Sequence, residues 1–96
     1  MKIRILRRAQ IDLDVGYRFY ENREEGLGDY FLTSIESDIR SLRIFAGAHQ
    51  TIQSYFRMVA TRFPYSIFYK VEDSEVRVFA VIDNRTNPER VGERLN

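Results

Sequence analysis

The sequence predicts an α+β fold, in which an N-terminal helical hairpin packs on one face of a small antiparallel sheet in the order β-α-α-β-β-β. Two changes of pattern lead to this prediction. In the first half, apolar residues recur at three- and four-residue steps, which is typical of helices. In the second half the period changes to two, which is typical of strands. A chain of 96 residues is too short for two independent cores, so we expect one domain over residues 1–96.

The first half predicts a strand followed by two helices. Isoleucines alternate with charged residues over Lys2–Leu6, which indicates a strand with one buried face. Helices are expected near 8–23 and 27–45, separated by a charged segment that ends in glycine. Because so short a turn joins them, the two helices should form an antiparallel hairpin.

The first helix carries two apolar stripes. One stripe consists of Ala9, Leu13, Tyr17 and Tyr20. The other consists of Ile11, Val15 and Phe19. With two such stripes, we expect the helix to contact both the sheet and the neighbouring helix.

The second half predicts three strands after a loop at 46–54. They are Tyr55–Thr61, Pro64–Val71 and Glu75–Asp83. A tight polar turn at Glu72-Asp73-Ser74 makes the last two strands a hairpin. Strict alternation in the last strand places on one face the residues Val76, Val78, Ala80 and Ile82. From Asn87 onward we expect an irregular or briefly helical tail.

Composition excludes several classes of protein. Without cysteine there are no disulfides and no thiolate metal sites, which fits the reducing cytoplasm, where we expect the protein to be located. No apolar run approaches the roughly 20 residues of a membrane span, and Met1–Arg8 is too charged for a signal peptide. The net charge of +1 is too small to indicate nucleic-acid binding. No metal or cofactor is expected.

Arginine dominates the basic residues, with 13 of the 15. Its planar fork suits carboxylate and phosphate, although genomic bias toward arginine would give the same composition. Arg57, Arg62, Arg77 and Arg85 fall on or at the ends of predicted strands. On an exposed sheet face they would converge on a phosphate, and the alternative is a solvated face.

Other polar residues give weaker indications of a functional site. His49, the only histidine, belongs to a side-chain type that titrates near neutral pH, but no partner lies at a recognisable spacing and we interpret it as a loop residue. Asp12 and Asp14 are a potential carboxylate pair, and stabilising the positive end of the first helix is the favoured interpretation. Tyr65 and Tyr69 can stack on bases, but core packing is the favoured role.

Several segments together resemble the RelE/ParE superfamily of small bacterial toxins from type II toxin–antitoxin modules. They are the opening strand Lys2–Leu6, the helix start Arg8–Leu13, the run Gly26–Leu32, the strand Phe63–Tyr69 and the strand end Ala80–Arg85. The resemblance covers nearly the whole chain, through the order and spacing of these segments. It implies a twisted sheet whose exposed face is a concave functional surface.

The resemblance leaves the activity open between two branches. RelE-like members cleave messenger RNA on the ribosome, which requires a base, an acid and cations around the phosphate. Here Arg85 occupies the strand-end arginine position, but Ser66 replaces an arginine of many nuclease members, and 86–96 contains no Tyr or His. These differences favour the ParE-like branch, often called plasmid stabilisation proteins, whose members poison DNA gyrase without a known catalytic set. A non-toxic interaction domain with the same fold is a third alternative.

The resemblance also implies a protein partner. Free toxins of this superfamily are held by an antitoxin whose disordered C-terminal segment adds a helix in a groove or a strand at an edge. Contact with operator DNA is expected only through the antitoxin. The residues expected to line an antitoxin groove are Tyr17, Phe19, Tyr20 and Tyr30. The residues expected on the functional surface are Arg85, Arg57 and Arg62, and no residue is assigned a catalytic role.

Overall fold

The computed structural model describes residues 1–96. The elements in chain order are β1 (Lys2–Ile5), α1 (Arg7–Glu21), α2 (Leu27–Phe45), β2 (Gln50–Ile52), β3 (Tyr55–Val59), β4 (Tyr65–Glu72), β5 (Glu75–Asp83) and α3 (Pro88–Leu95). The strands form one five-stranded sheet in the order β1-β5-β4-β3-β2, and the α1–α2 hairpin packs on one face of it. The predicted α+β class is therefore confirmed. No helix combines the length and the apolar character that a membrane span requires.

The sheet is mixed, because β1 pairs in parallel with β5 whereas the other three strand pairs are antiparallel. The prediction of an antiparallel sheet is right for β3 to β5 and wrong for β1. A short turn fixes the direction of two consecutive strands locally, but no such turn joins β1 to another strand. Its direction depends on how the helical hairpin returns the chain to the sheet, which local pattern does not encode.

Strand β2 lies in the segment that was predicted as a loop. It joins β3 through a two-residue turn at Gln53 and Ser54, whose φ angles are +50° and +73°. Turns of this kind favour glycine and asparagine, which adopt positive φ most readily. Neither residue occurs here, so the sequence carried no hairpin signal at this position.

The main core lies between the hairpin and the sheet and contains 15 buried apolar residues. At its centre Phe31 stacks on Tyr20, with 5.1 Å between ring centroids, and meets Tyr65 edge-on at 4.9 Å. The two helices approach closely at Gly16, where an added Cβ would lie 2.6 Å from the Phe31 ring. A larger residue at this position would have to displace the buried Phe31 ring.

The second apolar stripe of α1 faces solvent. Ile11, Val15 and Phe19 are 51%, 60% and 41% exposed, and we call these three residues the exposed stripe. The expected contacts of α1 with the sheet and with the neighbouring helix are present, but they come from its other face and not from the exposed stripe. Only one side of α1 meets the hairpin core, and the buried residues on that side are Ala9, Leu13, Gly16 and Tyr20.

A β-bulge in β5 changes which of its side chains point to each face of the sheet. The pairing with β4 shifts at Phe79, which has no partner across the ladder. Val76 and Val78 therefore belong to the core under the hairpin, whereas Ala80 and Ile82 belong to a small cluster on the opposite face. The prediction that these four residues share one face is wrong, because one extra residue in a strand reverses the alternation beyond it.

Helix α3 packs on the sheet face opposite the hairpin, which we call the open face. Leu95 is buried there and Val91 packs beside it against Phe68, Ala80 and Ile82. The helix begins regularly, with Pro88 in its first turn and the Asn87 side chain accepting the Glu89 N–H. The tail therefore forms a wall of the open face and leaves only part of that face accessible.

Candidate functional site

The three arginines expected on the functional surface lie in three different places. Arg57 projects from β3 onto the open face, where it contacts Ser66. Arg62 is exposed in the turn between β3 and β4, without a hydrogen bond or ion pair. Arg85 follows β5 near Tyr20 of the hairpin core. Arg57 and Arg85 thus lie on opposite sides of the sheet and do not converge on one phosphate.

Arg57 is held by two neutral acceptors. Its Nε donates to Ser66 Oγ at 2.9 Å and its Nη2 donates to Asn84 Oδ1 at 3.4 Å. The Ser66 hydroxyl, which is buried, donates in turn to Asn84 Oδ1 at 2.5 Å. No acidic side chain forms an ion pair with Arg57. The guanidinium is thus oriented and half-buried while its charge has no carboxylate partner.

A cavity of about 290 Å³ lies beside Arg57 on the open face. Its apolar walls are formed by Ile52, Phe68, Ile82, Pro88 and Val91. The β2–β3 turn closes one side, because Gln53 Nε2 donates to Gly92 O and to Asn96 Oδ1, both at 3.3 Å. We call this space the Arg57 cavity. It combines one oriented cation with predominantly apolar walls.

Arg85 forms a two-point ion pair with Asp83. Nε donates to Oδ1 at 2.9 Å, Nη2 donates to Oδ2 at 2.6 Å, and the Arg85 backbone N–H donates to Oδ1 at 2.8 Å. The hydrogen bonds from Arg85 hold the pKa of the Asp83 carboxyl below its usual range. The Arg85 side chain is nevertheless 63% exposed, so this pair lies at the surface and contributes little to stability.

Asp12 joins three elements at the edge of the sheet. Its Oδ2 accepts the Val81 N–H at 2.9 Å, and its two oxygens accept from Arg94 Nη1 and Nη2 at 2.9 and 2.8 Å. The carboxylate thus satisfies a β5 edge donor that β1 does not reach and ties α1 to α3. The first turn of α1 contains no acidic residue, so the interpretation of Asp12 and Asp14 as helix-end charges is wrong.

His49 has a structural contact in the loop after α2. Its Nδ1 lies 2.5 Å from Tyr69 Oη, which also accepts the Gly47 N–H at 2.9 Å. Burial raises the pKa of the Tyr69 hydroxyl above its ordinary value, so the phenol stays neutral and can donate to His49. Tyr65 and Tyr69 are both buried against the hairpin, which confirms the favoured core role.

The four aromatic residues expected in an antitoxin groove have different environments. Phe19 and Tyr30 are exposed, and Tyr17 is half-buried. Tyr20 is buried in the main core, where it contacts Phe31, so it does not line a groove. Phe19 belongs to the exposed stripe, and the Arg23 guanidinium lies 4.6 Å from its ring centroid.

A larger groove, of about 560 Å³, runs between α1, the end of β5 and α3. Val15 of the exposed stripe lies on its α1 side, and Arg90 and Glu93 lie on its α3 side. Tyr65 lines the groove as well, and burial raises the pKa of its hydroxyl to about 12, with smaller contributions from Tyr20 and Asp83. The exposed stripe and this groove are therefore neighbouring parts of one surface.

Sequence reasoning missed Asn84, Gln53 and Arg94 as members of these sites. Asn84 and Gln53 lie in turns and reach their partners only once the chain has folded. Nothing in the local sequence pattern indicated them. Arg94 had a detectable signal, because Val91 and Leu95 lie four residues apart behind an Asn-Pro helix start. That pattern predicts an amphipathic terminal helix with its arginine near the apolar side.

Comparison with known proteins bears on the fold. No protein-family model and no curated protein matches the chain. Among solved structures, the chain is similar to one from the chromosomal ParDE toxin–antitoxin system of P. aeruginosa, with a TM-score of 0.73 and 18% sequence identity. The alignment covers 86% of this chain and 95% of that chain. The prediction of a RelE/ParE-like fold is thereby confirmed: the protein has a ParE-like fold.

Proposed function

We propose that the protein is the toxin of a type II toxin–antitoxin module, that it inhibits growth by binding DNA gyrase in the cytoplasm, and that a cognate antitoxin neutralises it. The observation that carries the proposal is the likeness in fold to a chain of a ParDE toxin–antitoxin system, over 95% of that chain. The likeness therefore extends over nearly the whole of that chain and is not limited to one common structural motif.

The polar groups of the open face support binding over RNA cleavage. Attack by a ribose 2′-hydroxyl needs a general base and a general acid beside the phosphate. The polar side chains around the Arg57 cavity are a guanidinium, hydroxyls, amides and the Asp83 carboxylate, which Arg85 already engages. Lys70 lies over the Tyr55 ring, 4.5 Å from its centroid, and His49 contacts Tyr69 in the hairpin-side core. No acid–base pair is assembled on this face.

The exposed stripe of α1 supports a neutralising partner. Ile11, Val15 and Phe19 recur every four residues on one helix face and adjoin the groove between α1 and α3. An apolar stripe of this kind on a small protein is typical of an interaction surface. An amphipathic antitoxin helix, lying with its apolar face on the stripe, is the occupant that we propose.

The proposal is tested by inducing the gene in a bacterium, alone and together with the gene encoded beside it. We expect growth to stop with the toxin alone and to resume with the neighbour. Val15→Glu should leave toxicity intact and prevent the rescue, because it places a charge within the apolar contact. Ile44→Glu is the matched control, since Ile44 is 80% exposed on α2 outside the stripe, and it should be rescued like the natural protein.

Unimpaired growth at high soluble expression would contradict the proposal and favour a non-toxic interaction domain. Rescue of Val15→Glu as complete as that of Ile44→Glu would move the antitoxin contact away from the exposed stripe.

A further inference from the structure

The Arg57 cavity contains a charge without a counter-charge. Charged side chains that leave bulk water are normally paired, because burial of a lone charge is unfavourable. The Arg57 side chain is half-buried and its hydrogen-bond partners, Ser66 and Asn84, are neutral. Asp83 borders the cavity, but Arg85 engages both of its carboxylate oxygens. The cavity therefore has one cation, Arg57, that forms no ion pair with a carboxylate of this chain.

The hydrogen bonds of Arg57 leave part of its fork available. Nε donates to Ser66 and one Nη2 hydrogen points to Asn84, whereas Nη1 makes no hydrogen bond. A guanidinium has five N–H donors, so three remain for a ligand. Both fixed contacts also restrict rotation of the side chain. The remaining N–H groups are thus held in a defined orientation, which favours a planar acceptor with two oxygens.

The residues that line the cavity indicate which class of ligand it can bind. Ile52, Phe68, Ile82 and Val91 are apolar and Arg57 is the one cation among the lining residues. A nucleic-acid strand carries successive phosphates and requires several cations along its path. A single carboxylate on an apolar group matches one cation and an apolar wall. The volume of about 290 Å³ is near the lower end of small-molecule sites, at roughly 300 Å³.

We propose that the Arg57 cavity binds a carboxylate carried on a small apolar group, with the carboxylate on the free N–H groups of Arg57 and the apolar group against Phe68, Ile82 and Val91. Two sources share this chemistry: a free aliphatic acid, and the C-terminal carboxylate of a peptide that ends in an apolar residue. The site lies on the open face, away from the exposed stripe, and it does not depend on the proposed function.

The test uses hexanoate and its neutral isostere hexanamide as probes of the full chain. Binding is followed through the Arg57 Nε–Hε signal and the backbone amides in ¹H–¹⁵N NMR spectra. We expect hexanoate to shift the Arg57 signal saturably and hexanamide to bind at least about tenfold more weakly, since charge-assisted hydrogen bonds carry the difference. Equal affinities for the two probes, or no saturable shift with hexanoate, would overturn the proposal.

Three variants locate the site, with affinity read from the backbone amides. Arg57→Gln should weaken hexanoate binding about tenfold or more, whereas Arg40→Gln, which removes the same charge from the exposed surface of α2, should leave it unchanged. Ile52→Glu places a tethered carboxylate at the cavity from a partly exposed position and should also block the probe. Ile52→Glu keeps the test valid if Arg57→Gln does not fold. Binding that survives both substitutions would overturn the assignment.

A peptide comparison identifies the source. An N-acetylated tripeptide that ends in leucine is titrated with a free C-terminal carboxylate and with a C-terminal amide. Tighter binding of the free-acid peptide than of hexanoate would identify peptide termini as the ligand class, and the reverse order would identify free aliphatic acids. Either order supports a carboxylate site, whereas equal binding of peptide acid and peptide amide would contradict it.

Discussion

The two faces of the sheet are built differently. The hairpin face buries 15 apolar residues in one continuous cluster centred on Phe31, whereas the open face buries four, under α3. The centre of the hairpin face consists of packed aromatic rings, whereas the open face carries Arg57 on neutral acceptors beside a cavity. Since apolar burial is the main stabilising term in folding, the hairpin face dominates stability. The open face can therefore hold an unpaired charge without loss of the fold.

The largest loss of stability is expected at Phe31, on the hairpin face. Phe31→Ala should lower the free energy of unfolding by about 3–5 kcal/mol, because it leaves a cavity in the main core. Leu95→Ala, on the open face, should cost about 2 kcal/mol, since the smaller cluster at the chain end can relax. Urea denaturation of both variants measures the difference. A larger loss at Leu95 would reverse the assignment of the stabilising face.

The Asp12–Arg94 pair joins the two faces and should rank next. Asp12→Ala leaves the Val81 N–H without its acceptor and Arg94 without its partner, and should cost about 1–3 kcal/mol. Asp14→Ala is the matched control on the same helix, because its ion pair with Arg18 is exposed, and it should change stability by no more than about 0.5 kcal/mol. Equal losses from the two variants in urea denaturation would show that the pair contributes no more than a surface contact.

Arg85 should separate function from stability. Because its side chain is 63% exposed, Arg85→Ala should leave the free energy of unfolding almost unchanged. We expect the same change to abolish growth inhibition, measured with the induced gene at matched soluble expression. If the variant unfolds instead, Arg85 is structural, and its pairing with Asp83 is the reason for its presence. Arg57→Ala and Arg62→Ala, measured in parallel, test the remaining members of the predicted functional surface.

The smallest effect is expected in acid. Since Arg85 lowers the pKa of Asp83 in the folded protein, this carboxylate stabilises the fold above its ordinary pKa, and the contribution is lost as the pH falls through the lowered value. Asp83→Asn should therefore flatten the acid limb of a plot of stability against pH. Arg85→Ala should flatten the same part of the curve, and the double variant should add little. A steeper acid limb in either variant would contradict the pairing.

Local pattern was enough to predict most elements. The predicted second helix at 27–45 has the bounds of α2, and the predicted last strand has the bounds of β5, because both are long and strongly periodic. What failed depends on contacts distant in sequence. The bulge at Phe79, the parallel direction of β1 and the acceptors of Arg57 arise only when separate segments meet. The positions of the arginines on the predicted strands therefore did not show which of them share a face of the sheet.

The proposed inhibition of growth by binding, rather than by cutting messenger RNA, is tested most directly by one culture experiment. The gene is induced alone, and a DNA-damage reporter and the integrity of messenger RNA are followed in the same culture. Growth arrest with an early damage response, intact messages and initially unimpaired translation is the result we predict. Messages cleaved at ribosomal A-site codons, without a damage response, would contradict the account and identify the protein as a ribosome-dependent endoribonuclease.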